Sequence, residues 1–163
     1  MAECLSTVLA SLGIIMAATV SDWVTIIDFY SRANGRSVVR IDVQRKDFLR
    51  ELERLFASLA HGAVEELQLE PSEDLILSGR IKSVVLKRTA REESSGEIRT
   101  IKHSTGQIEV VWGGPATAWD KNMQLLQKVT DSEIPCHQYL TESGKDTDAE
   151  LEIAFGERRP RGL

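Results

Sequence analysis

Signatures of chemistry are what this 163-residue chain has least of. It contains no CxxC, no HExxH, no GxGxxG and no GKS or GKT. Its three histidines, His61, His103 and His137, stand far apart, so no zinc-type ligand spacing arises. The acids at 146, 148 and 150 alternate as in a calcium loop, but the glycine and the later glutamate of that loop are missing. These gaps imply no metal and no cofactor.

Cysteine is scarce as well. Cys4 and Cys136 are too few for a disulfide framework, so reduced thiols in a cytoplasmic protein are the expectation. Cys136 is followed by His137, the residue pair of cysteine hydrolases. Neighbours in an extended segment point in opposite directions, however, so the pair is a poor nucleophile and base. No catalytic residue is assigned, and a non-enzymatic role is expected. A cysteine-dependent enzyme using a distant histidine is the least favoured alternative.

A positive charge balance is also lacking, with 20 Lys and Arg against 25 Asp and Glu. The net charge is −5 and the sequence pI is about 5.3, which disfavours direct nucleic-acid binding, because phosphates want a basic footprint. The apolar run at residues 5–20 has no Lys or Arg before it, and Glu3 is acidic, which argues against a secretory leader. The run is short and Ser/Thr-interrupted for a membrane span. Leu5, Val8, Leu9, Leu12 and Met16 mark one helical face, so residues 1–20 are expected as a short apolar helix or extension. A start at Met16 is the other reading.

What is there is an ordinary globular composition, 42% apolar and 28% charged, in a chain of one-domain length. Residues 21–157 are expected to form one α+β domain, and 158–163 a basic frayed tail. Residues 23–30 and 37–43 are β-rich and flank Asn34-Gly35, a hairpin signal. Phe48, Leu49, Leu52, Leu55, Phe56 and Leu59 then fall at helical spacing, with Asp47 at the start and Gly62 at the end. Residues 63–69 read as strand or as more helix, and 75–86 as β-rich with a bend at Gly79. The charged stretch 87–97 is a loop, or the long tip of a hairpin.

A second hairpin surrounds Ser104-Thr105-Gly106. Gly113-Gly114-Pro115 breaks its strand, and Trp119, Met123, Leu126 and Val129 space as a second helix. The glycines sit where phosphate loops occur, but helix punctuation explains them better. Trp112 and Trp119 are expected in the core, with a pocket or an interface as lesser roles. The hairpin-then-helix order thus occurs twice without residue identity, and is read as a common motif rather than a repeat. The expected architecture is an antiparallel sheet of about six strands with two main helices packed on it, plus the short N-terminal helix.

The most informative stretch is 146–155, DTDAELEIAF. Ala149, Leu151, Ile153 and Phe155 share one side, and Asp148, Glu150 and Glu152 the other, as in a half-buried strand. Between Asp131 and Glu157 there are eight acids and one base, so the acidic excess of the whole chain resides here. The strand is expected at the outer edge of the sheet. Its carboxylates either keep other strands from pairing or hold something basic.

The run SVVRIDVQRKDFLRELERLFASLAHGAVEEL lies between WVTIIDFYSRANGR and LILSGRIKSVVL. In order of elements and helix pattern it resembles the small bacterial immunity proteins, antitoxin partners of contact-dependent inhibition and polymorphic toxins. The resemblance runs loosely over residues 23–129. It implies a non-enzymatic protein that binds one toxin domain, such as a nuclease with a basic active site. On that reading Glu142, Asp146, Asp148, Glu150 and Glu152 form the protein-binding surface. The partner is then a basic protein, with no nucleic acid and no membrane contacted directly. A dimeric secretion-chaperone-like protein, with the N-terminal helix as the homodimer seam, is the alternative.

Overall fold

The computed structural model describes residues 24–90, 96–141 and 147–157. The expected helix at 1–20, the tail at 158–163, Glu142 and Asp146 lie outside the described residues. Strands β1 (Thr25–Ser31) and β2 (Ser37–Val43) form the first hairpin, turning at Gly35 with φ of 79°. Helix α1 (Lys46–Ala60) follows, burying Leu49, Leu52, Phe56 and Leu59 along one stripe. At roughly 1.5–3 kcal/mol for each such side chain, this stripe dominates what holds the helix in place.

The end of α1 is locally determined. Gly62 has φ of 71°, the Gly62 N–H donates to Leu59 O and the Ala63 N–H donates to Ser58 O. Those are the two closing bonds of a Schellman motif, which needs a residue tolerant of positive φ. The chain leaves as β3 (Glu66–Leu69), so the ambiguous stretch after the helix resolves as strand.

The β-rich stretch after Pro71 divides at Gly79. Its first part is β4 (Leu75–Leu77) and its second is β5 (Ile81–Arg88), and the two enter different sheets. Next come β6 (Glu97–Lys102) and β7 (Ile108–Gly114), a hairpin turning at Gly106. Helix α2 (Ala116–Thr130) begins straight after Pro115. Gly114 is needed for close approach: a Cβ there would lie 3.1 Å from Ala118 Cβ and 3.4 Å from Gly96 Cα. The chain closes with β8 (Cys136–Tyr139) and β9 (Glu150–Phe155).

The α+β class is as expected, but the sheet is not a single antiparallel one of six strands. There are two mixed sheets, ordered β4-β1-β2-β9-β8 and β3-β5-β7-β6. β9 runs parallel to β2, β5 runs parallel to β7, and β4 runs parallel to β1. β9 is therefore paired on both sides and is not an edge. The 87–97 stretch is not a hairpin tip either, because β7 lies between β5 and β6.

The sheets also carry a hidden duplication. One unit is β1-β2-α1-β3-β5, with β4 inserted before its last strand; the other is β6-β7-α2-β8-β9. In each sheet a hairpin from one unit pairs, parallel, with the closing strand pair of the other. The orders β1-β2-β9-β8 and β6-β7-β5-β3 correspond strand for strand, in direction as well as position. The repeated hairpin and helix order is thus a topological repeat, contrary to the sequence reading. The units differ in residues because a core asks only for apolar side chains at the right period.

The two helices pack on each other, and each touches both sheets. One continuous core results. At its centre Phe56, Trp112 and Trp119 meet with ring centroids 4.9–5.3 Å apart. Both tryptophans are fully buried, so neither lines a pocket mouth. Among the described residues no helix is long and apolar enough to cross a membrane.

Candidate protein-binding site

The side of the five-stranded sheet away from the helices carries a network of charged side chains. β alternation dictates its membership. Val39, Ile41 and Val43 of β2 point into the core, so Val38, Arg40 and Asp42 point out. Leu151 and Ile153 of β9 point in, so Glu150 and Glu152 point out. The parallel register sets Glu150 beside Val38, Glu152 beside Arg40 and Ala154 beside Asp42. β8 adds Tyr139 beside Glu152 and His137 beside Ala154.

The expected alternation of β9 is therefore correct, but its carboxylates are not bare. Arg40 lies at the centre of a network. Its Nη1 donates to Glu152 at 2.8 Å, its Nε to Asp42 at 2.7 Å and its Nη2 to Glu157 at 2.9 Å. Arg32, from the end of the first hairpin strand, reaches Glu150 at 3.2 Å and Glu152 at 3.1 Å. Arg36, from the same hairpin loop, binds Glu150 at 2.9 Å. All three arginines come from one unit of the repeat, while Glu150, Glu152 and Glu157 come from the other. The network thus ties the two units across the β2–β9 junction.

Burial decides which of these pairs matter. Glu152 is 3% exposed and Asp42 also 3%, so their charges require partners. Burial pulls the Arg40 guanidinium down, but the hydrogen bond and charge of Asp42, with those of Glu157 and Glu152, outweigh it, and the pKa rises above the ordinary value. His137 Nδ1 lies 2.9 Å from Glu157 Oε1. That hydrogen bond first, and Arg40 next, hold the Glu157 carboxyl below its usual range despite partial burial.

The residues expected to form an acidic surface thus have different fates. Glu150 and Glu152 are buried and neutralised by arginine. Asp148 is exposed, but its carboxylate accepts from the Thr100 backbone N–H at 2.7 Å, and its own N–H donates to Ile98 O. It serves as a clasp onto β6 of the other sheet. Tyr139, Arg32 and Arg36 were not singled out from the sequence. Tyr139 is 37% exposed, its hydroxyl accepts from Arg32 Nη2, and the Arg32 guanidinium stands 5.3 Å from its ring centroid. The Arg36 side chain is 58% exposed. A tyrosine on a strand beside a hairpin rich in arginine was the available signal, but it carries meaning only once β8 and β1 are known to share a sheet.

Two chemical alternatives meet obstacles here. His137, Glu152 and Glu157 bring one ligand atom each within 4.8 Å of one another. Arg40 already binds both carboxylates, so a guanidinium stands where a metal cation would be drawn. Cys136 packs against the core side of β8, whereas His137 turns outward to Glu157, so the adjacent pair is split between two faces. Comparison with known proteins gives no match: no family model, no curated protein and no solved structure is detectably similar to this chain.

Proposed function

We propose that this protein is a non-enzymatic protein-binding module, and specifically an immunity-type inhibitor that masks a toxin domain. The observation that carries the proposal is the pre-organised Tyr139–Arg32–Arg36 cluster on a sheet face. Tyrosine and arginine dominate the energetics of protein interfaces, and they do so best when their rotamers are fixed before binding. Here the carboxylates beneath hold the guanidiniums in place. The resemblance of residues 23–129 to immunity proteins supports the binding role separately, and the net charge of −5 favours a basic partner.

The reading differs from a simple acidic surface. Glu150 and Glu152 act as supports, and Arg36 and Tyr139 make the contact. Glu142, Asp146 and Asp148 add to the negative charge that attracts a basic partner at long range. The test is whether a neighbouring gene encodes a toxin domain and whether that domain binds the full chain, followed by calorimetry; a neighbourhood without one removes the immunity reading. Tyr139→Ala and Arg36→Ala are each expected to weaken the complex about tenfold or more, as hot-spot truncations do. Undiminished affinity in both variants removes this face from the proposal, and failure of the toxin domain to bind removes the proposal itself.

A further inference from the structure

A groove of about 340 Å³ opens between α1 and the segment joining β3 to β4. Its floor is apolar: Leu52, Leu69 and Leu75 are buried, while Phe48 and Leu55 remain half-exposed. Its rim is acidic. Asp47, Glu51, Glu70 and Asp74 face a single base, Arg45. That volume falls at the small end of the range of ligand-holding clefts, about 300–1,000 Å³.

The rim charges are loosely held. Arg45 spans the mouth to Asp47 at 3.2 Å and to Asp74 at 3.5 Å. Arg50 and Arg54 approach Asp47 and Glu51 from the outer face of α1. Every one of these side chains is between 45% and 77% exposed, so the pairs are weak and exchangeable. Glu70 is exposed too. On the five-stranded sheet the acids are buried beneath their arginines, whereas here the acids and their arginine partners are all open to solvent.

We infer that this groove takes a basic-apolar segment of the protein partner, an apolar side chain seated on Phe48 and Leu55 with flanking lysines or arginines on the acidic rim. The inference rests on the binding-module reading and gives that reading the acidic contact which β9 does not supply. Charge complementarity names the occupant. The groove lining itself holds four carboxylates against Arg45, with Arg50 and Arg54 on the outer face of α1, so an acidic segment is repelled inside it and a purely basic one would leave the apolar floor uncovered.

The test uses the ¹⁵N-labelled full chain and three synthetic peptides. One alternates lysine with leucine and phenylalanine, one has glutamate for lysine, and one has serine for the apolar residues. Saturable amide shifts centred on Phe48, Leu55 and Leu75 with the first peptide alone are expected. The combined variant Glu70→Gln and Asp74→Asn should weaken that binding roughly fivefold, the effect of losing exposed charge contacts. Absence of saturable shifts, shifts centred elsewhere, or equal binding of the glutamate peptide overturns the inference. So do shifts at these residues that grow with protein concentration without peptide, which would assign the groove to a second copy. If a toxin-domain complex forms and is indifferent to the double variant, the groove assignment falls and the binding-module reading stands.

Discussion

Removing Arg40 is the sharpest test of the reasoning about the charged sheet face. Arg40→Met keeps most of the side-chain volume and deletes bonds to Asp42, Glu152 and Glu157. Breaking a buried ion pair by removing one partner costs about 3–5 kcal/mol, because a charge stays behind in a dry place. Glu152 keeps Arg32, and Glu157 is partly exposed, so the lower end applies, about 3 kcal/mol. With a urea m-value of about 1–3 kcal/mol per molar, the unfolding midpoint should fall by roughly 1–3 M. Arg36→Ala is the control. Its side chain is 58% exposed and its one ion-pair partner among the described residues, Glu150, retains Arg32, so the loss should stay below about 1 kcal/mol. Equilibrium urea unfolding at neutral pH reads both. Equal small losses in the two variants would refute the claim that burial sets the weight of these pairs.

The remaining predictions concern the cap, the core and pH. Gly62→Ala forces a Cβ onto a residue at φ of 71° and into the Arg88 guanidinium, so about 1–2 kcal/mol should be lost, seen as a lower Tm in calorimetry. Trp119→Phe removes an indole N–H that is buried without an acceptor among the described residues, so it should cost less than about 1.5 kcal/mol, whereas Trp119→Ala should cost about 3–5 kcal/mol. The Glu157 carboxyl is held below its unfolded value, so it contributes stability above the ordinary carboxylate range and loses it as pH falls through the lowered pKa. His137→Ala should therefore move the Glu157 titration upward in a carboxyl-detected NMR series; an unmoved midpoint would show that His137 has no part in it.

Both helices were legible from spacing, because burying one stripe imposes a period of 3.6 residues whatever the neighbours are. Gly35, Gly62 and Gly106 were legible because a turn or a cap at positive φ is a local demand. The inward and outward faces of β9 were legible for the same reason, since alternation belongs to the strand itself. The place of β9 in its sheet was not. Acids on an outer face look the same in a single strand whether the next strand offers water or arginine. Arg32, Arg36 and Arg40 are separated from Glu150 and Glu152 by more than a hundred residues, and only the parallel β2–β9 pairing brings them together.

By itself, then, the sequence determined the α+β class, the two helices, the turns and the phase of the strands, because each follows from interactions within a few residues. Tertiary structure alone decided that the closing strand pairs exchange between two repeated units, that the carboxylates of β9 are neutralised, and that the accessible acids rim a groove beside α1. Those outcomes depend on strand order, and strand order is settled by burying one shared core rather than by any local signal.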